Sequence, residues 1–251
     1  MNRFLPLLAA LGLLTTGLLA GPLPATAQDV DRQTRSVDAF TRVAFTVPGT
    51  LHLRQGESQS VEIEGPSKAL DRIETVVDGR QLTVRSDENG EGAGLFGWLS
   101  GERGTDDTPP IDVYVTMSTV EALTLAGSGD IVAETPIETD DLDLEIAGSG
   151  DIESQLTVAR LTINIAGSGD AVLRGRGDEV TVEIAGSGDV QGVDLQAATA
   201  SVSTAGSGDA ELRVTDRLDA RIVGSGNVRY HGDPTVKTSI VGSGNVNPTT
   251  E

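Results

Sequence analysis

Leu144-Glu145-Ile146-Ala147-Gly148-Ser149-Gly150-Asp151-Ile152 is one of seven copies of a single pattern: apolar, polar, apolar, one spacer, Gly-Ser-Gly, Asp or Asn, then a small or apolar residue. The copies open at Gly127, Gly148, Gly167, Gly186, Gly206, Gly224 and Gly242, so they lie 21, 19, 19, 20, 18 and 18 residues apart. A near-constant period of this length marks stacked units. Four and two positions before each opening glycine stand Leu123 and Leu125, Leu144 and Ile146, Ile163 and Ile165, Val182 and Ile184, Val202 and Thr204, Ala220 and Ile222, Thr238 and Ile240. The residue between them is Thr124, Glu145, Asn164, Glu183, Ser203, Arg221 or Ser239, always polar. Period two is the signature of a strand with one buried face. Ile131, Ile152, Ala171, Val190, Ala210, Val228 and Val246 follow the Asp or Asn and begin a second strand.

A strand, a glycine turn and a second strand within about 19 residues cannot bury an apolar face alone, but stacked at about 4.8 Å they align their Leu, Ile and Val into one core. The expected fold is therefore all-β: a right-handed parallel β-helix of about seven rungs over residues 111–248, its hand following the general rule for parallel crossovers. Antiparallel up-and-down repeats are the alternative; a propeller needs four strands per blade, more than such rungs supply.

Around this repeat the remaining segments fall into place. Arg3, an apolar run from Phe4 to Ala20 and the small-x-small ending Ala25-Thr26-Ala27 predict a signal peptide over 1–27. Residues 28–36 read as a short tail, and 37–248 as a single domain. Within it, alternating segments at 37–47, 50–54, 60–64, 73–77 and 81–85 predict an atypical β cap over 37–86, with a hairpin at Asp78-Gly79 and a helical turn from Ser67, which would cap it. Residues 87–110 form a Gly-rich excursion containing Phe96 and the single Trp98, a candidate partner contact if exposed and a cover for an open end of the stack otherwise.

The mature chain would hold 17 basic and 38 acidic residues, a net charge of −21, with Lys68 and Lys237 its only lysines. That balance excludes nucleic acid and anionic lipid surfaces as partners. There is no cysteine, hence no disulfide and no lipidation site at a new N-terminus. Export to the periplasm or the cell exterior is expected, with no membrane span after signal cleavage.

The order of an opening Phe40-x-x-Val43, then Val61-Glu62-Ile63-Glu64-Gly65, the Ile73 to Leu82 hairpin, serial Gly-Ser-Gly-Asp turns and a late Tyr230-x-Gly232-x-Pro234 resembles the putative autotransporter adhesin, head GIN domain family. The resemblance spans about residues 37–247. It implies an exported bacterial β-helical protein with no established enzymatic activity. No run of amphipathic membrane strands follows the repeat, so self-secretion is not expected.

Stacking would set Asp130, Asp151, Asp170, Asp189 and Asp209 in one column, continued by Asn227 and Asn245. The structural reading gives each Asp or Asn an Asx-turn bond to its own backbone. The functional reading makes the column a set of calcium sites, carboxylate and carbonyl oxygens being that ion's ligands. The nine-residue Gly-Gly-x-Gly-x-Asp period of calcium β-rolls is absent. A polysaccharide lyase or hydrolase would use an acidic pair on the flank of such a helix. Equivalent members of a repeat are poorly suited to that role, because catalysis needs groups set apart from their neighbours. His52 reads as a surface strand residue and His231 as a turn residue. The sequence thus predicts a non-enzymatic, adhesin-like or envelope-binding solenoid, without catalytic residues or cofactor, whose partner is a polysaccharide or a protein. A polysaccharide-active enzyme and a calcium-stabilised structural protein are the alternatives.

Overall fold

The computed structural model describes residues 30–87 and 110–249. The signal peptide over 1–27 and the Phe96 and Trp98 segment lie outside them. In chain order the elements are β1 (Val30–Arg35), β2 (Arg42–Phe45), β3 (Gly49–Gln55), β4 (Ser60–Pro66), one helical turn α1 (Ser67–Leu70), β5 (Ile73–Asp78), β6 (Gln81–Ser86) and β7 (Ile111–Met117). The repeat follows as β8 (Ala122–Gly127), β9 (Asp130–Ala133), β10 (Ile137–Gly148), β11 (Ile152–Gly167), β12 (Ala171–Gly186), β13 (Val190–Gly206) and β14 (Ala210–Gly224). It closes with β15 (Asn227–His231), β16 (Thr235–Gly242) and β17 (Asn245–Pro248).

The repeat is a parallel β-solenoid. From β8 to β16 each Gly-Ser-Gly corner sits directly on the one before it: Gly127, Gly148, Gly167, Gly186, Gly206, Gly224 and Gly242 pair in sequence. Each rung has two sides. In β11 the buried residues run Ile152, Ser154, Leu156, Val158, then slip in phase to Leu161, Ile163, Ile165. The slip at Ala159-Arg160 is a second corner, opposite the glycine one, so successive rungs build a sheet after the glycine corner and a sheet before it. The buried side chains of both face inward and form one continuous core. The wider spacing between the fourth and fifth glycine corners is taken up as a register shift between Gly192 and Gln196, which leaves Val193 outside.

The N-terminal part is not a separate cap followed by rungs in chain order. β2 pairs in parallel with both β6 and β8, and β3 with both β7 and β9. Residues 42–55 are therefore an inner rung, wedged between the rung of β6 and β7 and the rung of β8 and β9. Phe45 aligns with Leu125 and Thr50 with Asp130, so Val47-Pro48-Gly49 occupies the Gly-Ser-Gly corner. Asp87 and Pro110, the ends of the long excursion, bound the same corner one rung further out.

Antiparallel strands cover that outer rung: β4 lies on β7, β5 on β6, and β1 on β4. Within the short tail over 28–36, β1 is a strand paired antiparallel with β4. The predicted hairpin is present, with Asp78 opposite Gln81 across Gly79 and Arg80. The helical turn is also present, but Ser67 lies inside it and Pro66 takes the N-cap position without a side-chain bond.

Candidate functional site

Two surfaces differ from the packed interior: the glycine corner with its Asp column, and the outer faces of the two sheets. At the corner, the Ser149 N–H donates to the Gly127 carbonyl at 2.8 Å, and Ser168, Ser187, Ser207, Ser225 and Ser243 repeat the bond rung by rung. The Asp side chains also bond between rungs. The backbone N–H of Asp151 donates to Asp130 Oδ1 at 3.0 Å, Asp170 to Asp151 at 2.8 Å, Asp189 to Asp170 at 2.8 Å and Asp209 to Asp189 at 2.7 Å. Asn227 gives Asp209 Oδ1 both its backbone N–H, at 2.7 Å, and its Nδ2, at 2.9 Å. The expected Asx-turn is thus replaced by a bond to the next rung. This also answers the like-charge problem of a carboxylate column, because a backbone dipole stands between each charge and the next. Among the described residues no three His, Asp or Glu side chains gather as metal ligands.

The outer face of the sheet after the corner is laced with ion pairs. Arg174 meets Glu153 at 2.7 Å, Arg229 meets Asp209 at 3.1 Å, Arg54 meets Glu134, and Arg32 bridges Glu62 and Glu64. His52 belongs to this network and is half-buried. Its ring stacks on Tyr114 at 4.8 Å, with Nδ1 3.1 Å from Glu134 Oε1, and the Arg32 guanidinium lies 5.0 Å over the Tyr114 ring. His231 is not in a turn; it ends β15, buried, with Nε2 2.8 Å from Glu211 Oε1. The two histidines sit on different rungs near opposite ends of the stack, each already held by carboxylates.

The outer face of the sheet before the corner is different. Its in-register rows place Asp143, Thr162, Thr181, Ser201, Asp219 and Lys237 in one column. Thr124, Glu145, Asn164, Glu183, Ser203, Arg221 and Ser239 form a second, and Ala126, Ala147, Ala166, Ala185, Ala205, Val223 and Val241 a third, beside the glycines. Short hydroxyl, amide and methyl groups dominate, so the surface is flat, about 29 Å along the stack from the strand spacing and about 14 Å across three alternate positions. Depressions open on it. One, of about 310 Å³, is lined by Glu145, Asn164, Ala166, Glu183, Ser203 and Ala205. A second, of about 220 Å³, involves Glu179, Thr181, Ser201 and Asp219.

Only the central column of this face was singled out from the sequence as outward and varied. The alanine column was legible as a repeated letter at the position before each glycine. What it lacked was the in-register stacking that turns it into a surface.

The family model described as "Putative auto-transporter adhesin, head GIN domain" matches residues 39–234. No curated protein matches the chain. Among solved structures, a putative adhesin from Bacteroides fragilis aligns with a TM-score of 0.77 at 23% identity, over 89% of this chain and 98% of the other. A putative adhesin from Parabacteroides distasonis aligns with a TM-score of 0.69 at 22% identity, over 89% and 98%. A protein from the same species described as a putative lipid binding protein gives 0.68 at 22% identity, over 88% and 97%. At these identities the likeness is one of fold.

Proposed function

The chain belongs to the putative auto-transporter adhesin, head GIN domain family, and from that premise we propose that it is an exported, non-enzymatic, adhesin-like protein that binds a cell-envelope or host polymer along the sheet before the glycine corner. The observation that carries the reading is the contrast between the two outer faces. One is laced with ion pairs along its length; the other, apart from Arg160–Asp141 and Arg217–Asp219, presents flat columns dominated by Thr, Ser, Asn and Ala, whose short side chains lose little freedom on contact. A linear polymer suits this surface, because each rung presents outward positions one strand spacing further on, with side chains that differ from rung to rung.

The enzyme reading finds less support. The Asp residues of the column are equivalent and engaged with backbone. Glu121, whose carboxyl is held below its ordinary range, is committed to Thr41, Arg80 and Arg42 at the edge of the stack. A lipid ligand, the description of one structural neighbour, would need an interior cavity; here the space between the sheets is filled by side chains such as Leu144, Ile163, Leu173 and Leu212. Among the described residues no helix is long and apolar enough to cross a membrane.

Purified residues 28–251 are to be passed over immobilised bacterial and host polysaccharides, with calcium and with chelator, while the supernatant is assayed for new sugar ends. Retention without release, weakened by Ala147→Lys and Ala185→Lys in the third column, is the expected result. Sugar release, or retention that ignores both lysines, would refute it.

A further inference from the structure

We propose that the C-terminal end of this face is an oxyanion site that receives the acidic group of a glycan chain, an inference that rests on the reading of the face as the contact surface. A depression of about 300 Å³ there is lined by Ser201, Ser203, Asp219, Arg221, Lys237 and Ser239. Its distinguishing feature is two exposed cations with nothing to hold. Among the described residues Arg221 and Lys237 make no ion pair and no side-chain hydrogen bond, in a chain whose acidic groups far outnumber its basic ones. The nearest acid, Asp219, is Lys237's neighbour across the ladder, yet it is already taken by Arg217, which donates through Nε at 2.9 Å and Nη2 at 2.6 Å. The lining of the depression thus holds two cations against one carboxylate, and that carboxylate is already engaged by Arg217 from outside it.

The geometry suits an oxyanion. Arg221 offers a planar fork of donors that matches a carboxylate, sulfate or phosphate edge, and Lys237 adds a point charge from the adjoining rung. Ser203 and Ser239 flank Arg221 in register on either side, and their hydroxyls can donate to the same anion or to a sugar hydroxyl. The rest of the face limits what carries the anion. Glu183 and Glu145 stand two and four rungs away, about 10 and 19 Å along the stack, with Asp143 beside the latter. A polyanion laid along the face would meet these carboxylates. A neutral chain with one acidic group at its end would not, since the acid sits on Arg221 and Lys237 and the hydroxyl-rich remainder lies on Asn164, Thr162 and the alanine column.

The test is a titration of labelled protein, followed by backbone amide shifts, with sodium sulfate against sodium chloride at matched ionic strength. It is repeated with a neutral oligosaccharide ending in glucuronic acid and with the methyl ester of that sugar. Sulfate is expected to give saturable shifts at 201–203, 219–221 and 237–239, weakened at least tenfold by Arg221→Gln and by Lys237→Gln, both exposed positions whose exchange leaves the fold intact. The acid-ended oligosaccharide is expected to bind at least tenfold more tightly than its ester, an advantage that both variants remove. Sulfate shifts no different from those of chloride would overturn the oxyanion site. Equal binding of acid and ester would overturn it while leaving the contact face standing. Sulfate binding without any oligosaccharide binding would keep the site and refute the face as a glycan surface.

Discussion

Gly169→Ala should be among the most damaging conservative substitutions in this protein, although its backbone angle does not demand glycine. A Cβ at Gly169 would lie 2.1 Å from the carbonyl oxygen of Gly150 in the preceding rung and 2.9 Å from Ile146 Cγ2. Relief requires the two rungs to part by about 1 Å at the corner, since a carbon and an oxygen tolerate little under 3.2 Å. That movement stretches the bonds from Ser168 N–H to Gly148, at 2.8 Å, from Gly169 N–H to the same carbonyl, at 3.2 Å, and from Asp170 N–H to Asp151, at 2.8 Å. At about 1 kcal/mol each the loss is about 3 kcal/mol, or a fall in Tm of roughly 6–12 °C for a domain of this size. Gly79 is the control. Its φ is +61°, yet nothing lies within 4 Å of a Cβ there, so Gly79→Ala costs only the left-handed strain of about 1 kcal/mol. Thermal unfolding followed by circular dichroism measures both. If Gly169→Ala proved no worse than Gly79→Ala, the corner glycines would be turn formers only, and the argument from rung stacking would fail.

Asp189→Ala removes the acceptor of the Asp209 N–H and should cost about 1–2 kcal/mol in urea unfolding, whereas Asp189→Asn, which keeps an acceptor oxygen, should cost less than half of that. Thr204→Val should stabilise by about 1 kcal/mol, because the Thr204 hydroxyl is buried without a partner between Ile184 and Ile222, and a methyl of the same shape completes the apolar row. Burial raises the Glu121 pKa, but hydrogen bonds from Thr41 and Arg80 outweigh it and leave the carboxyl below its ordinary value. A folded pKa below the unfolded one means that Glu121 stabilises the fold above the unfolded value of about 4. That contribution disappears as the pH falls through the folded value, so Glu121→Gln should flatten the acid limb of a stability-against-pH curve while lowering stability at pH 7.

The solenoid was legible because the repeat states its own register. The seven Gly-Ser-Gly corners stack in the order in which they occur, and the alternation before each, as in Leu144-Glu145-Ile146, names the buried face. The N-terminal rung was hidden for the converse reason. Val47-Pro48-Gly49 keeps only one of the two corner glycines, Gly49, where a Cβ would lie 2.0 Å from the Ile111 carbonyl oxygen of the rung outside it. Stacking order differs from chain order there, and no local pattern encodes that β2 slots between β6 and β8. The partner of each Asp side chain was equally beyond local reading. An acceptor three bonds from the backbone Cα reaches its own turn or the next rung with similar ease, and only the distance between rungs decides between them.

The same physics explains why the scaffold is easier to read than the site. In the rungs inside the stack the inward positions and the corner are fixed by close packing, where a Cβ at Gly150 or Gly188 would strike a carbonyl at 1.7 or 2.2 Å, and those residues therefore repeat. The outward positions meet no such constraint and are free to differ, from Glu145 to Asn164, Glu183, Ser203 and Arg221. Information about a partner accumulates in these departures from the repeat. The change from Asp209 to Asn227 and Asn245 removes two negative charges from the last two corners. Over the same rungs the outer face gains Arg221 and Lys237, and from Pro234 to Thr249 Lys237 is the only charged residue. Two columns that do not touch thus shift toward positive charge at the same end of an otherwise acidic stack. Core packing does not call for that shift, whereas recognition of a negatively charged group at that end does.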